Sequence, residues 1–473
     1  MTGRSAKRKN APDEPPGASA YNRSGWPEGR LLCPLPADLP ASSPPPVDFD
    51  VAIVGAGAAG LAAAIFTRRA NPSRSVVVLD GAARPGAKIL VSGGSRCNVT
   101  NTVVTEADFS GARPTVIRRI LRAFPVEDTV AFFRDIGVPL HQEPGGKLFP
   151  VSNRSRDVLD ALLAELARTG AGLRAGHRVT DIRPGDGGFT IETTRGPRRA
   201  RAVVLATGGL SLPKTGSDGW GYEAARRLGH SIVPTTPALV PLVLAPGEPG
   251  AIHDRIPGVS LPVRLDVRVD GSIAVRIPGS MLWTHFGISG PAALDASRHW
   301  LRARIEEREV SITACFRPDG TFASLEQDWL ARAARRPRLT VHVALARDVP
   351  ASMASAILDH LAIPPQTTLA ALTREDRRRL VHALLEWPLP IVDSRGYRYA
   401  EVTAGGVPLA EIDPSTMASR VRRGLYLVGE ILDADGRIGG FNFQWAWATG
   451  WIAGAALGTR RVRRASSSRS AGP

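Results

Sequence analysis

VDFDVAIVGAGAAGLAAAIFTRRA, residues 47–70, reads as an apolar strand (Val51 to Val54), a glycine turn, and a helix with Ala and Leu on its packing face. The turn matches G-x-G-x-x-G at Gly55, Gly57 and Gly60, with Ala58 and Ala59 opening the helix. In such a turn the first glycine permits the tight bend and the second lets a pyrophosphate approach the backbone. The third brings helix and strand together, so the helix N-terminus faces the phosphates. The pattern alone is a weak signal. Here a second strand, Ser75 to Leu79, follows and ends in Asp80, 20 residues past Gly60. An acid at that place accepts hydrogen bonds from a ribose. Strand, turn, helix, strand and acid in register predict a dinucleotide site in an α/β fold. The alternative is a glycine-rich packing turn in an unrelated α/β unit.

Two further glycine segments separate FAD from NAD as the dinucleotide. Residues 202–209, AVVLATGG, read as a buried strand entering a turn at Thr207-Gly208. Residues 424–440 contain a strand (Leu425 to Val428), then Gly429-Glu430, Asp433 and the pair Gly439-Gly440, ahead of the apolar helix FNFQWAWATGWIAGAAL. A helix starting behind Gly439-Gly440 aims its positive end at the electron-rich edge of a reduced flavin. Segments this far apart suit one extended FAD gripped by a sheet whose middle is interrupted. No second G-x-G-x-x-G follows a strand, so no separate NAD(P)H domain is expected.

The chain has 473 residues and a formal charge of +16, with only five Lys among 60 basic residues. Its 43% hydrophobic content suffices for two or three domain cores and excludes a disordered or disulfide-scaffold protein. Residues 1–47 carry +2, residues 459–473 carry +5, and the body between keeps +9. Both ends are rich in Pro, Ser or Arg and read as extended or disordered extensions. A diffuse positive surplus attracts phosphate-bearing partners at long range without giving them an address. Cys33, Cys97 and Cys315 cannot form a disulfide framework and suit a reducing cytoplasm. No apolar run is long enough for a membrane span, and none follows the basic N-terminus to make a secretory signal. No CxxC is present, and no metal site is expected.

Six stretches resemble the aminoacetone-oxidase-like family of bacterial FAD-binding flavoproteins, which includes ribosomal RNA dihydrouridine synthases. They are GAGAAG (55–60), AKILVSGGSRCNVTN (87–101), LATGGLSLPKTGSDGWGY (205–222), LWTHFGISGP (282–291), AEVTAGGV (400–407) and GLYLVGEILDADGRIGGFNFQWAWATG (424–450). They run in order through essentially all of 48–458. The resemblance implies a Rossmann-like FAD-binding domain made of 48–240 and 400–458. An insertion interrupts it, β-barrel-like over 241–320 and helical over 321–399. Alternation at Val263 to Val269 agrees with the first half, and apolar spacing in Ala351–Leu361 and Arg374–Glu386 with the second. The resemblance also implies FAD contacts by Lys88, Ser92, Gly93, Arg96, Asn98, Val179, Thr207, Gly208, Gly429, Glu430, Asp433, Gly439, Gly440, Phe441 and Asn442. Two departures stand out: Asp80 replaces the family's usual Glu, and Ser95 replaces a Gly in the loop expected beside the flavin.

Three residues are candidates for chemistry. Cys97, in the loop beside the flavin, could donate a proton, act in redox chemistry, or only pack; Arg96 next to it would lower its pKa if the side chains converge. His285 lies in a glycine-rich turn and could orient or protonate a carbonyl, or merely bond to backbone. Lys147, in GGKLFPVSNRS, could pair with a phosphate or carbonyl, or be a solvated loop lysine. Asn442 and Gln444 could line the flavin or, for Asn442, cap the helix. Trp445, Trp447 and Trp451 sit among Ala and Gly, which favours core packing over base stacking. The Arg runs at 331–338 and 374–379 read first as solvated helix faces and second as an RNA-phosphate surface.

The resulting expectation is a cytoplasmic FAD-dependent oxidoreductase. The leading reaction is NAD(P)H-driven reduction of a uridine in large-subunit rRNA, which needs a hydride at C6 and a proton at C5. Alternatives are oxidation of a small amine or aminoketone, and a non-enzymatic flavin-binding ribosome assembly factor. No membrane association is expected.

Overall fold

The computed structural model describes residues 47–459. The extensions read at 1–47 and 459–473, and Cys33 with them, lie outside the described residues but for Val47 and Thr459.

Phe49–Val54 is a strand because its β-branched and apolar side chains are covered on both faces; Val51, Ala52, Ile53 and Val54 are all buried. It lies at the centre of a parallel sheet whose order is Leu425–Leu427, Arg198–Leu205, Phe49–Val54, Val76–Asp80 and Gly172–Ala175. One strand of that sheet thus comes from beyond the insertion. An antiparallel hairpin, Val179–Gly185 with Gly188–Thr193, joins the start of Arg198–Leu205.

Helix Ala58–Ala70 packs lengthwise on the C-terminal helix Phe441–Thr459. The fit depends on a stripe of glycines. A Cβ added at Gly450, Gly454 or Gly458 would stand 2.7, 2.7 or 2.4 Å from the Cβ of Ala62, Phe66 or Ala70. Backbones so close leave no room for side chains larger than hydrogen on that face. Trp445 and Trp447 are fully buried, their indole N–H groups donating to the carbonyls of Gly429 and Val99. Trp451 stacks on Phe124. The tryptophans pack the core.

The insertion is built on a seven-stranded antiparallel sheet ordered Trp387–Leu389, Val310–Cys315, Ser260–Val269, Ser272–Thr284, Gly287–Ser289, Leu242–Leu244 and Ile391–Ser394. Its two edge strands are neighbours in sequence, separated only by Pro390, so the sheet must curl until its edges meet. That is the barrel-like part, and no ladder closes it. Two details differ from the sequence reading. The helix Pro291–Ile305 lies within the stretch read as β-rich, and the strands at 387–394 lie within the stretch read as helical. In both cases a tertiary partner decides: Ala292, Ala293 and Ala296 pack on the curled sheet, and Ile312 and Ala314 pair with Leu389 and Trp387. Helices Phe322–Arg335, Val341–Leu345, Ala351–His360 and Arg374–Leu385 share this second core.

The chain leaves and re-enters the nucleotide-binding domain side by side, Val233–Ala238 pairing antiparallel with Val402–Gly406. A small third core, Ala238, Leu239, Val402 and Ala404 with Leu294 and Ile438 against it, sits at this crossing. Helix Pro291–Ile305 is tied to the other domain nearby. Arg298 makes a bidentate pair with buried Asp435 at 2.6 and 2.9 Å, and Arg302 donates to the Pro234 carbonyl. Among the described residues no helix is long and apolar enough to cross a membrane.

Candidate functional site

The glycine turn has the shape a pyrophosphate needs. Gly55 adopts φ +105°, and a Cβ on Gly60 would lie 1.9 Å from the Gly55 carbonyl oxygen. A Cβ on Gly57 would meet nothing within 4 Å: the space above it is open. The helix behind it has no side-chain cap and no acid in its first turn, so the amides at Ala58 and Ala59 are free of competing carboxylates. Asp80 accepts from the Ala56 N–H at 2.7 Å and the Ala82 N–H at 2.8 Å, which holds its carboxylate at the strand end beside the turn. Val179 is buried at the start of its strand. Thr207 and Gly208 follow the adjacent strand; Gly208 has φ +70°, and the Thr207 hydroxyl is pressed against Gly221.

Helix Ala87–Ser95 keeps helical geometry only to Val91. Gly93, Gly94, Ser95 and Cys97 all turn left-handed, so Ser95 occupies a conformation that glycine adopts without strain and serine does not. This contorted loop presents the buried Asn98, whose Oδ1 has no hydrogen-bond partner among the described residues. Ser92 donates to the Ile89 carbonyl and its own carbonyl accepts the Cys97 N–H. Lys88 reaches across to Ser211 and the Glu430 carboxylate.

Three sequence expectations for this loop and its surroundings are corrected. Arg96 does not approach the Cys97 thiol: it pairs with Glu143 at 2.5 Å and lies 4.1 Å over the Phe149 ring. Cys97 is 0% exposed, and burial pushes its thiol up to about 12, only partly opposed by a contact with Ser92. Without a nearby cation the thiol stays neutral and packed. Asn442 neither caps the helix nor points away from it; its amide brackets Gly436, accepting from the N–H and donating to the carbonyl, both at 2.8 Å. Gln444 is likewise spent, tying Thr100, Thr129 and the Phe124 carbonyl together in the core.

Beyond the insertion, Gly429 passes against Ala59, and Glu430 enters a knot in which Lys88, Ser211 and the Thr403 N–H all address its carboxylate. Asp433 is buried near Asp435; burial pushes its carboxyl up, Asp435 adds to this, and Arg302 and Arg298 oppose it. Gly439 and Gly440 have φ +132° and +95°, and Asn101 donates to the Gly439 carbonyl at 3.1 Å. Helix Phe441–Thr459 begins directly behind them with no acid in its first turn. The Phe441 ring is in the core beneath Arg437, so only its backbone faces the helix start.

Three charged groups, Lys147, Asp295 and Glu401, act on one another where the insertion meets the nucleotide-binding domain. Lys147 opens the strand Lys147–Pro150, paired with Asn101, and its charge acts on both Asp295 and Glu401. Asp295, from the insertion helix, accepts the Ile438 N–H at 2.7 Å, one residue before Gly439. Burial pushes its carboxyl up to about 6; the Ile438 N–H, Arg437 and Lys147 pull the other way, and Glu401 adds to the rise. Glu401 is wetted by the cleft yet crowded by protein, and that crowding pushes its carboxyl up against the pull of Lys88 and Lys147. Sequence reasoning missed Asp295 and Glu401. Glu401 stands in a quoted stretch, AEVTAGGV, but nothing local shows that Asp295 meets Ile438 from 143 positions away. His285 is brought elsewhere, to the exposed tip of the hairpin joining Ser272–Thr284 and Gly287–Ser289, edge-on to Phe286.

Half of the eight arginines in the two runs have partners within the helical part, while Arg335, Arg336, Arg338 and Arg374 are exposed and form no ion pair among the described residues. Arg377 pairs with Glu326, Arg379 with Asp376, and Arg378 lies over Phe322, while Arg332 is shared between Asp328 and Asp348. Those helices pack on one another and on the strands Val310–Cys315 and Trp387–Leu389.

A Rossmann-type floor with two helix starts free of acids in their first turn, an unspent buried acceptor at Asn98 and left-handed glycines at each approach fits a bound FAD. The class is that of FAD-dependent oxidoreductases. The chain belongs to the HI0933-like family, whose Rossmann-domain description matches residues 49–456, which bears out the resemblance read from the motifs. A 3-dehydro-bile acid delta(4,6)-reductase of Clostridium scindens is 32% identical over 410 residues, 87% of this chain and 99% of that protein. The ribosomal RNA dihydrouridine synthase of Escherichia coli is 32% identical over 403 residues, covering 85% and 96%. Its namesake in Haemophilus influenzae is 30% identical over 403 residues, covering 84% and 96%.

Proposed function

We propose that this protein reduces a carbon–carbon double bond conjugated to a carbonyl, and that its substrate is a uridine of large-subunit rRNA, converted to dihydrouridine. The observation that carries the reduction chemistry is Asp295. A carboxyl pushed up to about 6 keeps its proton well above the pH at which an ordinary aspartate loses it. It sits where the insertion meets the segment leading into the C-terminal helix. FAD bound on this floor and reduced by NADH or NADPH would supply the hydride. Asp295 supplies the proton for the other carbon, Lys147 and Glu401 set its acidity, and the Lys88–Glu430–Ser211 knot holds the loop beneath them. Gly55, Gly57, Gly60, Asp80, Thr207, Gly208, Asn98, Gly439 and Gly440 hold the cofactor. Cys97 shapes the loop and takes no part in proton transfer.

The RNA substrate is supported by the two dihydrouridine synthase relatives. A bile-acid-like substrate is the second reading, favoured by the Clostridium relative of equal identity. NADH or NADPH is the reductant, and in the absence of a second nucleotide motif it uses the same cleft as the substrate. The test is mass spectrometry of rRNA nucleosides from a deletion strain. Loss of one dihydrouridine from large-subunit rRNA supports the reading, and an unchanged content defeats it. Anaerobic bleaching of the flavin by NADH or NADPH identifies the reductant.

A further inference from the structure

In the segment that leads to Glu401 a guanidinium is held between two rings. Arg395 lies 4.5 Å from the Phe286 ring centroid and 4.0 Å from that of Tyr399. Both sides of the stack are pinned by backbone. The strand Ile391–Ser394 and the hairpin strand Gly287–Ser289 flank the same strand, Leu242–Leu244, and Leu244 donates to the Phe286 carbonyl. Arg395 donates its N–H to the Pro241 carbonyl at 3.0 Å, and a turn at Gly396 closes with the Tyr399 N–H on the Gly396 carbonyl at 3.0 Å. The Tyr397 carbonyl accepts from Leu212, one residue beyond the Ser211 that bonds Glu430.

The stack is therefore rigid, yet its outer member is open: Tyr399 is 52% exposed, one of the most exposed large apolar side chains among the described residues. Neither Arg395 nor the exposed Arg398 forms an ion pair among the described residues. Glu401 follows two residues later, at most about 7 Å of chain away, and reaches the charged cluster. Packing alone explains an Arg between two rings. It does not explain leaving a buttressed aromatic ring open, two positions before Glu401, beside an Arg398 unpaired among the described residues.

We propose that Tyr399, backed by Arg395, is a stacking platform for a nucleobase of single-stranded RNA next to the residue being reduced, with Arg398 meeting its phosphate. Every base has a π face, so such a platform grips the strand without reading its sequence, and the guanidinium beneath keeps the ring from tilting away. A saturated ring system has no π face to offer it, and a duplex has no free base. The inference rests on the RNA reading above and names how that substrate is held.

Binding of fluorescein-labelled single-stranded and duplex RNA of one uridine-rich sequence to the FAD-loaded protein tests it. Tyr399→Ala is expected to weaken single-strand binding roughly tenfold, about 1.4 kcal/mol, while Tyr399→Phe stays close to wild type and the flavin spectrum is unchanged in both. Duplex binding is expected to be equal in all three. If wild type binds the single strand and Tyr399→Ala binds it equally well, the platform is wrong and the RNA reading stands. If wild type binds neither RNA at low salt, the RNA reading fails and takes the platform with it.

Discussion

The cofactor floor and the insertion above it are held together by different means. On the floor the decisive atoms are backbone. Glycines at 55, 60, 439, 440, 450, 454 and 458 let chain approach chain within distances that any Cβ would block, and few charged side chains are involved. In the insertion and at its junction the decisive atoms are side chains: Arg298 on Asp435, Asp295 on the Ile438 amide, Arg395 between two rings. The difference teaches that the glycine-rich floor is shaped by backbone, whereas the junction with the insertion is shaped by charges brought together by folding. A backbone site tolerates no added atom; a side-chain site tolerates changes in shape and fails on changes in charge.

The strongest way to break the comparison is a single methyl on the floor. Gly60→Ala puts a Cβ where the Gly55 carbonyl oxygen stands, 1.9 Å away, and is expected to abolish FAD retention, read as loss of flavin absorbance in the purified protein. If Gly60→Ala binds FAD normally, the backbone account is wrong.

On the substrate side, Asp295→Asn keeps the shape and the acceptor for Ile438 but removes the acid. The expected loss of turnover is about 10²- to 10⁴-fold, with FAD bound normally. The wild-type rate should fall as pH rises through about 6, and the variant should lack that limb. The sign for stability is opposite. A carboxyl raised from 3.8 to about 6 by folding costs nothing below the usual carboxylate range, and the cost is complete once pH has passed the folded value. Asp295→Asn is therefore expected to raise the melting temperature at pH 8, by stabilisation on the order of 1–3 kcal/mol, with the gain vanishing toward pH 4. A less active but more stable variant would sharpen the contrast; one that loses both would recast Asp295 as structural.

Arg298→Ala tests the junction. It strands Asp435, 2% exposed, without its partner, at a cost of about 3–5 kcal/mol. Thermal unfolding at neutral pH should show that deficit as a lowered melting temperature. The smallest effect is expected for Cys97→Ala. Turnover should stay near wild type rather than drop by the roughly 10²-fold or more that loss of a proton donor brings, and native protein should resist thiol alkylation until unfolded.

How much was legible follows the same division. The dinucleotide turn, Asp80 and the Gly439-Gly440 helix start can be read in order because each is a local pattern: a positive φ or a close approach demands glycine at a particular place. Ser95 shows the limit even there, since its left-handed φ of 66° emerges only from the neighbouring turns. Cys97 and Arg96 are adjacent in sequence, which suggests an activated thiol, but the backbone sends Arg96 to Glu143 and Phe149 and seals the thiol away. Asn442 sits at a helix start and reads as a cap or a ligand; in the fold, Gly436 occupies both ends of its amide.

By itself the sequence determined the dinucleotide-binding floor, because glycine spacing and apolar periodicity act over a few residues and survive without tertiary context; the interruption was implied only by the family resemblance. Only the tertiary structure decided the charged junction between floor and insertion. Asp295 owes its raised proton affinity to burial and to Glu401, against the pull of Lys147 and Arg437, and these groups lie on three other segments of the chain. A carboxylate's acidity and an arginine's freedom are properties of surroundings, and those exist only once distant segments have met.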